Sequence, residues 1–240
     1  MDQRGQGKVG GAASIPWSAV GVHLFTALGS VCGLMALLAA LEGAYERLFL
    51  WLGLAFLIDG IDGTFARMVD VKGRLPRFSG DKLDLIVDYV TYVFVPVVAL
   101  LKAGFLVGAP GQGLAALILL SSLYHFIDED SKAPDNSFVG FPAVWNIVAF
   151  YFFAFEVSAW TAGFIIVALA GLTFVPWRWV HPLRVVALRG PTMALTVLWS
   201  AAAAWVALGG FPATLAPGIV LLAGALYVLG LCLYRRGAPD

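Results

Sequence analysis

The sequence predicts an all-α, polytopic integral-membrane helical bundle of about eight transmembrane helices, and three observations carry that prediction. Hydrophobic residues make up 60% of the 240-residue chain and charged residues only 12%, where soluble domains carry about 25% charged. The apolar residues fall in long runs, and roughly 20 helical residues cross a bilayer. The cations gather at alternate connections between those runs, the pattern of a chain threaded with its positive loops inside.

Ser14-Ile15-Pro16-Trp17 opens the first span, placed at about 17–40. Pro16 suits the start of a helix and Trp17 the membrane interface. A turn at 42–47 leads to a second span at about 45–68, and the polar stretch 69–79 reads as a loop. A third span follows at 81–103, a fourth at 112–127, and then the polar run DEDSKAPDNS. The apolar segment 141–176 is too long for one span, and Glu156-Val157-Ser158 divides it into 142–156 and 159–176. Spans at 191–209 and 213–234 complete the eight. The domain plan is a tail at 1–16, one membrane domain at 17–234 and a tail at 235–240. The first apolar run is too long for a cleaved signal peptide and is expected to be retained.

Eight spans place both termini on one side. That side then holds Arg4, Lys8, Arg67, Lys72, Arg74, Arg77, Lys82, Lys132, Arg178, Arg184, Arg189, Arg235 and Arg236, and the other keeps Arg47 and Lys102. The asymmetry puts the end of the second span and the start of the third at the cytoplasm. Merging 141–176 into one span would send Arg178, Arg184 and Arg189 outside, which argues for the division. Net charge is zero, so nucleic-acid binding has no electrostatic support. Cys32 and Cys232 both lie in apolar runs, with no metal-binding neighbours and no case for a disulfide.

Function concentrates between Asp59 and Asp88, in DGIDGTFARMVDVKGRLPRFSGDKLDLIVD. Asp59 and Asp62 stand three apart, Asp84 and Asp88 four apart, so each pair shares a helical face. Two such helices facing each other make a four-carboxylate cage. Solvated or capping aspartates are the ordinary alternative, but these four are embedded in membrane-span sequence, where ionisable groups mark function. Carboxylates in a low-dielectric space need cations to neutralise them. All-oxygen ligation suits a hard divalent ion, Mg²⁺ or Mn²⁺.

These residues resemble the signature of the CDP-alcohol phosphatidyltransferase family, D-x-x-D-G-x-x-A-R, a spacer, then G-x-x-x-D-x-x-x-D. Asp59, Asp62, Gly63, Ala66, Arg67, Gly80, Asp84 and Asp88 fill every fixed position. Most of the family has a spacer of eight residues, whereas Met68–Ser79 is twelve. That length, the wording VKGRLPRFSGDKLDLIVDYVTYVFVP and the later YHFIDEDSKAPDNSFVGFPAVWN are similar to the bacterial phosphatidylcholine synthase branch. The signature covers about an eighth of the chain, and the branch-like wording continues to about Asn146.

The resemblance implies an enzyme of a bacterial inner membrane that transfers a phosphatidyl group from CDP-diacylglycerol to choline and releases CMP. It implies two divalent ions on Asp59, Asp62 and Asp84, with Asp88 as the base that takes the alcohol proton and as a further ligand. For the donor it implies Gly63, Ala66, Arg67 and Gly80. Gly63 reads equally as a helix-packing position, and the lesser alternative for Arg67 is a snorkelling interface arginine. In the first span, His23, Thr26 and Gly29 stand at helical spacing, facing either the cytidine or the protein interior. A trimethylammonium offers no hydrogen to an acceptor, so choline needs aromatic faces and a nearby carboxylate. Tyr92, Tyr124 and Trp145 are the favoured rings, with Phe126, Asp128 and Phe141 nearby, and Lys132 and Asn146 steady either the lipid phosphate or the loop. Serine, inositol phosphate or glycerol phosphate is the alternative acceptor, although an anionic one would want more basic residues close by. An ion transporter could also carry membrane aspartates, but no second D-x-x-D half is present, where transporters favour internal repeats. Such spans are compatible with a homodimer.

Overall fold

The computed structural model describes residues 16–133, 137–180, 182 and 188–236, the last two by their backbone. The predicted tail through residue 15, Arg184 and the C-terminal residues from 237 lie outside the described residues. The architecture is helical. Helices α1 (Trp17–Leu41) and α2 (Tyr45–Val69) form an antiparallel pair joined at Glu42–Ala44. A short α3 (Val71–Arg74) precedes one continuous span built from α4 (Gly80–Asp88), a π-helical turn (Tyr89–Phe94) and α5 (Val95–Lys102). Then come α6 (Gly108–Ile127), α7 (Trp145–Ala154), α8 (Ala159–Leu172), α9 (Arg189–Gly209) and α10 (Leu215–Arg236).

All eight expected apolar helical segments are present, but unequal in length. Six are long and apolar enough to cross a membrane, while α7 and α8 have 10 and 14 residues. The break between them falls at Phe155–Ser158, where Glu156 takes a left-handed conformation (φ 45°) and the Ser158 hydroxyl accepts the Thr161 N–H to start α8. At 1.5 Å per residue, α7 is about 15 Å long, half the hydrocarbon thickness. The non-helical stretch 140–144 precedes it. Phe141 and Ala143 there are buried in protein, the condition under which irregular backbone is tolerated at membrane depth.

The connections sort to two ends. At one end the Ala213 N–H donates to the Ala154 carbonyl at 2.9 Å, and the Phe105 and Phe153 rings meet edge-on at 5.0 Å. At the other end a two-residue antiparallel pairing joins β1 (Phe138–Val139) to β2 (Arg178–Trp179), and the Gly140 N–H donates to the Trp177 carbonyl at 2.9 Å. Gly140 holds φ 79°, which glycine adopts without strain. The Val180 N–H contacts Cys232 Sγ at 3.3 Å, bringing the end of α10 to the same face. Two residues carry no periodicity, so nothing local in the sequence signals this short pairing.

Two local expectations are corrected. The stretch 69–79, read as a loop, contains α3; Asp70 ends α2 in a left-handed conformation (φ 53°) and its carboxylate accepts the Gly73 N–H at 3.3 Å. The third span is not uniformly α-helical. Pro96 has no N–H for the Tyr92 carbonyl and its ring crowds that group; the Val95 N–H reaches back five residues to Val90 instead.

α1 packs along α2 and against α4, the π turn and α5. Close approach is possible because Gly29 faces Val87; a Cβ on Gly29 would stand 2.6 Å from Val87 Cγ1. On α2, Leu57, Ile61, Phe65 and Met68 form one exposed apolar row. Such a row suits lipid contact, whereas the carboxylates occupy the other face. Gly29→Ala is expected to destabilise the fold by about 1–3 kcal/mol through overpacking, despite alanine's better helix propensity. The detergent-solubilised melting midpoint should fall, and Val87→Ala in the same chain should recover most of the loss.

Candidate metal centre

The site is assembled by helix ends meeting at the β-pairing end of the bundle. α2 brings Asp59 and Asp62 in its last three turns; α4 begins at Gly80 and brings Asp84 and Asp88 in its first three. The Ser79 hydroxyl starts α4 by accepting the Lys82 N–H at 3.3 Å, so Ser79 is the cap of that helix. Facing helices thus convert spacings of three and four into a single cluster.

Three of the four carboxylates come together. Asp59, Asp84 and Asp88 each offer an oxygen, and these oxygens lie within 4.8 Å of one another. Asp62 is outside that mutual range; it is buried, and Thr26 of α1 faces its carboxyl. Asp88 Oδ1 is buried and has no hydrogen-bond partner among the described residues, so their donors leave it available. A converging all-oxygen set with an orphaned carboxylate oxygen fits a hard divalent cation. The donor chemistry, not the acidity alone, makes the fit.

Other groups complete the surroundings. The Tyr92 hydroxyl donates to Asp59 Oδ2 at 2.6 Å, and its ring lies 6.0 Å from Phe56. Lys132 acts electrostatically on both Asp84 and Asp88. Its backbone is held by a bridge to Phe138, and the preceding turn is closed by the Asp128 carboxylate accepting the Asp130 N–H at 3.0 Å. Gly63 lies beside Arg67, with an added Cβ 3.4 Å from Nη1, and Arg67 is exposed, donating to Thr64 Oγ1 at 3.3 Å. Ala66 packs with Ala19, Val22 and Val71. Gly80 meets His23, whose Nε2 is buried and has no hydrogen-bond partner among the described residues.

The proposed acceptor rings are dispersed. Tyr92 touches the cluster directly. Tyr124 is half exposed and packs at 4.8 Å on Phe174. Trp145 is fully buried; its Nε1 donates to Ser122 Oγ at 2.8 Å and its ring meets Phe141 at 5.1 Å. Asn146 accepts the Ile147 N–H at 2.9 Å through its side chain. Phe126 packs edge-on against Tyr89 at 6.1 Å. The Tyr92–Asp59 bond was missed in the sequence because a tyrosine four residues after an aspartate suggests only a shared face. The available signal was Pro96, which disturbs the helix at that turn.

Fold and site together define a polytopic membrane protein with a carboxylate cluster that can hold a metal ion. No protein-family model matches the chain. It is 45% identical over 183 residues to the phosphatidylcholine synthase of Bradyrhizobium diazoefficiens, covering 76% of this chain and 68% of that protein. With the phosphatidylcholine synthase of Pseudomonas aeruginosa it is 40% identical over 216 residues, 90% of each chain. The phosphatidylcholine synthase of Rhizobium meliloti is 40% identical over 218 residues, again 90% of each. The chain belongs to the phosphatidylcholine synthase family.

Lys132→Met should strengthen divalent-ion binding, since it removes a positive charge acting on two carboxylates. A roughly several-fold lower apparent dissociation constant for Mn²⁺ is expected, read by metal-dependent thermal stabilisation in detergent. An unchanged or weaker affinity would remove Lys132 from the site's electrostatics.

Proposed function

We propose that this chain is a CDP-alcohol phosphatidyltransferase that makes phosphatidylcholine, transferring the phosphatidyl group of CDP-diacylglycerol to choline and releasing CMP. The observation that carries the reading is the Asp59–Asp84–Asp88 cluster inside a membrane bundle whose relatives are phosphatidylcholine synthases. The choline hydroxyl oxygen attacks the phosphatidyl phosphorus, the bond to the bridging pyrophosphate oxygen breaks, and CMP leaves with that oxygen. The hydroxyl proton passes to Asp88, whose unpartnered oxygen is free to accept it. Asp59, Asp84 and Asp88 would hold one divalent ion, Mg²⁺ or Mn²⁺, and Asp62 would join Asp59 and Asp84 around a second. When bound, such ions supply charge neutralisation at the pyrophosphate.

Arg67 offers a planar fork to the donor's phosphates, beside Gly63 and Ala66, whose small side chains leave the backbone approachable. Gly80 of α4 and Thr26 of α1 are proposed for the same donor. Tyr124 and Trp145 are proposed for the acceptor's quaternary ammonium. The membrane domain spans 17–234 between two cytoplasmic tails, and the carboxylate end faces the cytoplasm of a bacterial inner membrane. Support comes from Arg67, Lys72, Arg74, Arg77, Lys82, Lys132, Arg178 and Arg189 sharing that end, against Arg47 and Lys102 at the other.

Purified protein given radiolabelled choline and CDP-diacylglycerol in detergent should form phosphatidylcholine and CMP in equal amounts, in a divalent-ion-dependent reaction. Preference for serine, inositol phosphate or glycerol phosphate would reject the acceptor assignment. Asp88→Asn should lower kcat on the order of 10²-fold or more by removing the base, with donor affinity held; retention of most of the rate would reject that role. Asp62→Asn should reduce bound Mn²⁺ from two ions to one, which equilibrium dialysis measures; two ions still bound would place Asp62 outside the ligand set. Tyr124→Leu should raise the choline KM roughly two- to thirty-fold, as loss of one cation–π contact predicts, and an unchanged KM would exclude that ring.

A further inference from the structure

We infer that Tyr92 is a positioning residue for the metal centre, acting through its hydroxyl on Asp59 rather than through its ring. The inference rests on the reading of Asp59, Asp84 and Asp88 as metal ligands. Tyr92 is 7% exposed, and its hydroxyl donates to Asp59 Oδ2 at 2.6 Å. A carboxylate has two oxygens and can rotate. Holding Oδ2 on a buried donor stops that rotation and so fixes how Asp59 presents its carboxylate to Asp84 and Asp88. Partners of this kind orient ligands and tune their affinity.

The backbone explains how Tyr92 comes to reach a neighbouring helix. It lies in the π-helical turn Tyr89–Phe94, immediately after Asp88, and the Val95 N–H closes that turn on the Val90 carbonyl. Wider turns of this kind inside a helix concentrate at functional sites. Pro96 causes the widening, because a regular helix would require its absent N–H to meet the Tyr92 carbonyl. The extra width changes the direction of Tyr92 relative to Asp84 and Asp88, which precede the turn on regular α-helix. The ring is closed in on one side by Phe56 of α2, the helix that also carries Asp59. Thr91, the preceding residue, bonds back to the Val87 carbonyl at 3.0 Å and faces the interior. The hydroxyl is thus delivered from a fixed ring to a fixed oxygen.

A ring role toward choline and a hydroxyl role toward Asp59 make opposite predictions for Tyr92→Phe, which keeps the ring and removes the oxygen. The variant should bind Mn²⁺ about 10–100-fold more weakly, measured by the metal's effect on thermal stability and by equilibrium dialysis. Its choline KM at saturating metal should match the unmodified protein, and raising the metal concentration should restore most of the turnover. Its metal-free melting midpoint should stay close to the unmodified value, which separates positioning from general packing. Tyr92→Leu should show the same loss of metal affinity as Tyr92→Phe. Unchanged Mn²⁺ affinity in Tyr92→Phe overturns the inference, and so does weakened affinity that tracks a fall in metal-free stability. If the unmodified protein itself binds no divalent ion, the metal-centre reading fails; if it binds and Tyr92→Phe binds equally, only the role of Tyr92 fails.

Discussion

Everything in this structure is arranged around the cost of holding carboxylates together away from bulk water. Removing an ionised group from water is expensive unless charge or hydrogen bonds compensate. Asp59, Asp84 and Asp88 converge with one tyrosine donor, one nearby lysine and one oxygen without a protein partner. Among the described residues, hydrogen-bond donors do not satisfy every oxygen of the cluster. The glycine that lets α1 close on α4, the capping serine at the head of that helix and the bridge that fixes Lys132 all serve its geometry.

The bundle supplies rigidity from its other end. Phe49, Phe150, Phe153 and Phe211 meet there at 5.2–5.7 Å in edge-on and tilted contacts. Tyr151 ties three helices, accepting from Trp199 Nε1 at 2.8 Å and donating to the Leu221 carbonyl at 2.7 Å. Aromatic packing and shared hydrogen bonds therefore anchor the end farthest from the carboxylates. The carboxylate end instead is joined by short strands, turns and caps, elements that place polar atoms rather than bury area.

How much of this was legible in the sequence depended on the period of the signal. The long helices were readable because twenty apolar residues are hard to mistake, and the division at Glu156 was readable because charge has a strong preference for membrane edges. The carboxylate pairs announced a helical face, and the facing of α2 and α4 completed what spacing began. Asp62 and Thr26 illustrate the limit: spacing cannot say which of four acids turns toward a neighbouring helix instead. Nor could residue type distinguish Trp145, enclosed behind Ser122, from Tyr124, open at its ring. Short elements such as α3 and the β1–β2 pairing depend on one cap or one contact across 40 residues, which no local pattern records.

The exposed row on α2 has a further meaning beside the carboxylates on the same helix. Leu57, Ile61, Phe65 and Met68 present hydrocarbon outward, while Asp59 and Asp62 turn inward from the same turns. A single helix, about 10 Å across, is therefore the partition between two solvents. On the proposed function, a lipid donor straddling that helix would keep its tails in oil beside the apolar row while its head reaches the carboxylates, with no tunnel between the two.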